Sequence, residues 1–121
     1  MRTLYYLLMN KQLEALQSQY KIEEDSKNDA LLSALSDKYC RSIIEATLYK
    51  PKSVTELAVE TKIPISTIYR RIQTLHDNKL LHISGMISDD GKKFFLYKSK
   101  IKGFNSRYDE GKIEIELEFN N

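Results

Sequence analysis

Ser66, Thr67, Tyr69, Arg70, Arg71 and Gln73 fall within eight consecutive positions of a 121-residue chain. Their chemistry is recognition rather than catalysis. Arginine pairs with guanine O6 and N7, glutamine pairs with adenine, and hydroxyls reach phosphate oxygens. If residues 64–81 form one helix, Ile68, Ile72 and Leu75 point inward. Ser66, Tyr69, Arg70 and Gln73 then lie together on the opposite side, with Thr67, Arg71 and Thr74 along the flank. Residues near the start of such a helix enter a groove deepest, which weights Ser66, Thr67, Tyr69 and Arg70 above Thr74. Lys92 and Lys93 place two more cations at a turn, where they suit phosphate contact, although Asp89 and Asp90 beside them oppose it. The competing readings are a solvated helix face and an ordinary charged turn. The short helix before this segment and the basic hairpin after it favour nucleic-acid contact.

These side chains need elements that aim them. Ser53-Val54-Thr55-Glu56 fits a capping box and starts a short helix to about Thr61, with Leu57 and Ala58 inward. Lys62-Ile63 makes the turn, and Pro64 opens the next helix, where its missing N–H costs nothing. Ile65, Ile68, Ile72 and Leu75 line the buried face of that helix. After Leu80-Leu81 the apolar period changes to two. Residues 82–88 and 93–99 read as a hairpin around Asp89-Asp90-Gly91-Lys92, and 101–108 and 112–119 as a second strand pair. In the last strand Ile113, Ile115, Leu117 and Phe119 face one way and Glu114, Glu116 and Glu118 the other.

Upstream, Leu31–Tyr49 carries one helical pattern. Within it Ser36 can cap a helix start, Tyr39, Ile43, Ile44 and Leu48 then face the core, and Pro51 stops the helix. Residues 2–20 are predicted helical, with Tyr5, Met9, Leu13, Leu16 and Tyr20 in one apolar stripe suited to pairing with a second copy, the alternative being that it folds back onto its own domain. Residues 21–29 read as a charged linker. The chain thus divides into an N-terminal helix and linker (1–28), a central domain (29–100) and a C-terminal β-hairpin (101–121). The fold class is α+β, a winged helix-turn-helix with appendages at both ends.

The charge distribution agrees. Net charge is only +2. Residues 64–102 nevertheless hold eight Lys/Arg (Arg70, Arg71, Lys79, Lys92, Lys93, Lys98, Lys100, Lys102) against three Asp (Asp77, Asp89, Asp90). A basic centre between acidic ends is the footprint of a segment that meets phosphate. Cys40 is the only cysteine. It permits no intrachain disulfide and no cysteine zinc site, and it fits a reducing, cytoplasmic setting. His76 and His82 lack the clustered partners of a metal site, so no metal or other cofactor is expected. There is no phosphate-binding glycine loop and no nucleophile beside an evident base, so the reading is not that of an enzyme. The opening residues lack the pattern of a signal peptide, and no segment approaches a membrane span. Tyr5, Tyr6, Phe94, Phe95, Phe104, Tyr108 and Phe119 are read as core and interface rather than as an effector pocket.

The run from about Leu35 to Ser99 resembles the archaeal ArsR-like winged helix-turn-helix regulators. The resembling pieces are LSDKYCRSIIEAT, KPKSVTELAVETKIPISTIYRRIQTL and the hairpin ending FFLYKSKI. The resemblance implies a homodimer, a double-stranded DNA site with two half-sites and a recognition helix at 64–81. Metal-sensing relatives carry paired cysteines that this chain lacks. The alternative function is a winged-helix adaptor for protein–protein interaction within a transcription or signalling complex.

Overall fold

The computed structural model describes residues 10–13 and 25–121. Among residues 25–121, four helices are followed by four strands, an α+β architecture. They are α1 (residues 25–36), α2 (Lys38–Ala46), α3 (Val54–Thr61), α4 (Ile65–Asp77), β1 (Leu81–Ile87), β2 (Lys93–Ser99), β3 (Ile101–Asp109) and β4 (Lys112–Phe119). The order is compatible with a winged helix. No helix among the described residues is long and apolar enough to cross a membrane.

The expected helix over Leu31–Tyr49 is two helices. Asp37 has extended backbone (φ −79°, ψ 125°), which interrupts the helical hydrogen bonding, and its carboxylate accepts from the Cys40 amide at 2.8 Å. The cap is therefore Asp37, one residue beyond the expected Ser36. The Ser36 hydroxyl instead donates to the Ser33 carbonyl at 3.0 Å, inside the last turn of α1. Residues 25–29, expected in a linker, are helical and belong to α1. Their polar side chains suit an exposed helix start, and the buried Ala34 and Leu35 anchor its other end.

The α3 capping box forms as expected. The Glu56 amide donates to the Ser53 hydroxyl and the Ser53 amide to the Glu56 carboxylate, both at 3.2 Å. Lys62 closes α3 in the left-handed region (φ 59°). α4 stops at Asp77 rather than continuing to 81, and its ending is a Schellman motif. The Lys79 amide bonds the His76 carbonyl and the Leu80 amide bonds the Leu75 carbonyl, each at 2.9 Å. Lys79 takes the left-handed position (φ 60°) that glycine usually fills, which hides the stop from a composition-based reading. The motif folds Leu80 back beside Leu75, and both are fully buried.

β1 and β2 pair antiparallel from Leu81↔Ser99 to Ile87↔Lys93. Lys52 adds a third, one-residue member: its amide donates to the Tyr97 carbonyl at 2.9 Å and its carbonyl accepts from Tyr97 at 2.8 Å. β3 and β4 form a second hairpin. Its two-residue turn, Glu110-Gly111, has φ of 50° and 78°, the pair of positive values a type I′ turn demands.

This second hairpin is no free appendage. Ile101 is part of the main core with Leu35, Ile43, Leu57, Ile68 and Leu75, and Phe104, Ile115 and Leu117 pack against that cluster. The Asn28 side chain donates to the Ile113 carbonyl at 2.9 Å, tying α1 to β4. Asn120 fastens the far end, donating through its side chain to the carbonyls of Leu48 (2.6 Å) and Ser99 (3.2 Å) and through its amide to Lys100 (2.7 Å). The alternation in β4 holds for Ile113, Ile115 and Leu117. Phe119, expected on the covered face, is 64% exposed, because that face runs past the edge of the core.

Residues 10–13 are helical, and Leu13 is half-exposed. Tyr5, Met9, Leu16 and Tyr20, the rest of the expected dimerisation stripe, lie outside the described residues.

Candidate nucleic-acid interface

α4 presents the expected recognition residues on one side. Ile68, Ile72 and Leu75 bury the opposite face, which turns Ser66, Tyr69, Arg70 and Gln73 outward, all four exposed. Thr67 is half-buried on the flank. Arg70 has no ion-pair partner among the described residues, so its guanidinium points to water with its donors available. Gln73 is committed in part: its side-chain amide donates to the Asp77 carboxylate at 2.8 Å, leaving the carbonyl oxygen outward as an acceptor. Thr74 turns its hydroxyl back to the Arg70 carbonyl at 3.1 Å.

Arg71 departs from expectation. Its Nε donates to the Asp37 carboxylate at 2.9 Å, and its guanidinium carbon stands 5.7 Å from the centre of the Tyr39 ring. Arg71 thus locks α4 to the start of α2 and is not a free cation on the outer face. The sequence held a signal for this. Arg71 lies three residues after Ile68 and four before Leu75, in the same row as two core residues. Asp37, the other half of the pair, was concealed by Ser36 as a competing cap.

The Asp37 carboxyl is held below its ordinary 3.8. Partial burial pushes it up, but hydrogen bonding to Cys40 and the Arg71 charge together outweigh that push. A carboxylate depressed in the folded state stabilises the fold above its unfolded-state value. That contribution fades as pH falls through the lower, folded-state value. Asp37→Asn keeps a capping oxygen but loses the charge. It is expected to cost roughly 0.5–1.5 kcal/mol at neutral pH, allowing for solvent screening of a partly exposed pair. The gap from the parent should close below pH 3.8 in urea titrations across pH, and a constant gap would refute the ion-pair account.

Cys40 lies at the same junction, fully buried. Burial, then the Asp37 hydrogen bond and charge, push its thiol up to about 12. At neutral pH the thiolate needed for metal binding or redox chemistry is not populated. Among the described residues no group of three or more His, Cys, Asp or Glu is placed to hold a metal.

The β1–β2 hairpin carries its cations less freely than expected. Ser88 organises the turn: its hydroxyl donates to the Asp90 carboxylate and accepts from the Lys92 amide at 3.1 Å. The Ser88 hydrogen bond lowers the Asp90 pKa, keeping that carboxylate charged at the tip. Lys92 Nζ is 3.9 Å from Asp90, and Lys93 Nζ stands 5.4 Å over the Phe95 ring. Both lysines are exposed, but each has a local partner. The hairpin also shows apolar residues that the charge count does not reveal: Ile83, Met86, Phe95 and, 76% exposed, Ile87.

One further departure concerns Ile65. Expected on the buried face of α4, it is 50% exposed. It is the first residue of the helix, ahead of the turn that Ile68 buries, and it is not among the helix's buried residues. A scan against protein-family models finds no match to this chain, and comparison with curated proteins finds none.

Proposed function

We propose that the chain is a sequence-specific double-stranded DNA-binding transcription regulator, similar in kind to the archaeal ArsR-like proteins it resembles. In this reading α4 enters the major groove, the β1–β2 hairpin lies along the backbone, and two copies bind two half-sites. The observation that carries it is Arg70, exposed and, among the described residues, without an ion-pair partner, beside Ser66 and Tyr69 on the outward face of a helix whose other face is core. A guanidinium placed in this way can form two parallel bonds to guanine. The test is selection from a randomised duplex pool across salt concentrations. Enrichment of a two-fold symmetric motif with steep salt dependence supports the reading, and unselective binding refutes it.

Lys92→Ala with Lys93→Ala is expected to weaken all duplexes alike and to flatten the slope of log affinity against log salt by less than the ~2 of two full phosphate contacts. The shortfall follows from Asp90, which already offsets part of that charge. An unchanged slope, measured by fluorescence anisotropy, would remove the hairpin from the interface.

A second reading, a protein-interaction adaptor, draws support from the same hairpin. Exposed Ile83, Met86, Ile87 and Phe95 suit an apolar partner better than a phosphate backbone. Salt-dependent duplex binding separates the two.

A further inference from the structure

We infer that Ile65 reads the C5-methyl group of thymine, so that the preferred duplex carries a thymine where the start of α4 meets the groove. This rests on the DNA-binding reading above and sharpens it.

Ile65 is the first residue of α4, and Pro64 before it caps the helix with no side-chain hydrogen bond. No capping side chain therefore folds over the first turn. Residues at the start of a recognition helix approach the base edges most closely. Ile65 is also in register with the outward face, because Tyr69 and Gln73 follow at four-residue intervals. With Ser66 and Arg70 in the adjacent row, the face is two short lines, one led by an isoleucine and one by a serine.

Chemistry then narrows the target. The half-exposed, aliphatic Ile65 side chain neither donates nor accepts a hydrogen bond. Of the groups that base pairs show in the major groove, the thymine methyl alone is apolar. Covering that methyl removes apolar surface from water on both sides of the contact. The neighbours complement it. Arg70 supplies donors for guanine, and Gln73, with its amide held by Asp77, offers an acceptor to adenine or cytosine amino groups. Only Ile65 on this face is suited to thymine by the absence of polar atoms.

The test uses the full chain and the duplex enriched from the randomised pool. Each thymine is replaced in turn by deoxyuridine, which deletes the methyl and leaves the pairing edge intact. At one position per half-site, deoxyuridine is expected to weaken binding roughly three- to fourfold, the effect of one buried methyl. Ile65→Ala should lose a similar factor on the thymine duplex and become indifferent to deoxyuridine at that position. Ile65→Val should keep most of the discrimination. Selective binding by the parent with no thymine sensitive to deoxyuridine overturns the inference while sparing the DNA reading. Equal sensitivity in parent and Ile65→Ala also overturns it, because the methyl would then touch another residue. A pool from which no duplex is enriched overturns both.

Discussion

Arg70→Ala is expected to lower affinity for the enriched duplex roughly 5- to 150-fold, about 1–3 kcal/mol, and to relax preference at a guanine. Binding to unrelated duplexes should fall far less, because a phosphate contact is replaceable and a bidentate base contact is not. The side chain is exposed and unpaired among the described residues, so its removal leaves no buried partner unsatisfied and the fold should be unaffected. Arg71→Ala makes the useful contrast. Its guanidinium spans Asp37 and the Tyr39 ring, so its loss should show first as reduced stability and only secondarily in DNA affinity. Two adjacent arginines thus divide the work, and paired unfolding and binding titrations reveal the division. Equal losses of selective and unselective binding in Arg70→Ala would reduce Arg70 to a phosphate contact.

Ile101→Ala is expected to cost about 2–5 kcal/mol, the usual range for deleting a fully buried isoleucine to its β-carbon. Ile101 is 1% exposed and stands where the two hairpins meet. Its amide donates to the Ser99 hydroxyl at 3.1 Å, while that hydroxyl donates to the Ile101 carbonyl at 2.6 Å. Lys100 between the hairpins donates its amide to the Leu80 carbonyl at 2.8 Å. A cavity here therefore loosens the helices and the second hairpin together. Urea unfolding followed by circular dichroism and by tyrosine fluorescence should show one coincident transition in both the parent and the variant. A loss under 1 kcal/mol, or two separate transitions, would mean that residues 101–121 are a separate unit after all.

The sequence left open whether the last strand pair packs on its own domain or on a second copy, for a physical reason. Alternation in KIEIELEF shows that one face of a strand needs cover but does not say what supplies it. Here the cover is the body of the molecule, against which Phe104, Ile115 and Leu117 pack. The charged residues 25–29 misled in the same way. Low hydropathy reads as linker, although a helix start at the surface is also polar, and Asn28 makes a bond to β4 that no local pattern announces.

What local chain chemistry settled is considerable. Ser53 with Glu56 placed the start of α3. Pro64 set the entry to α4, and the Ile68-Ile72-Leu75 spacing aimed its outward face. Period-two alternation with Gly91 and Gly111 placed both hairpins. Each of these signals acts within about one turn or one strand pair, where propensity, capping and φ preference dominate. Packing decided the rest. It ended α4 at Asp77, where Lys79 and no glycine takes the left-handed position beyond the helix, and it split one predicted helix at Asp37. It drew Arg71 inward to an acid thirty-four residues away. It left Ile65 half-uncovered at the head of α4. Those outcomes depend on which distant surfaces meet, and a contact between residues far apart in the chain leaves no periodic trace in either segment.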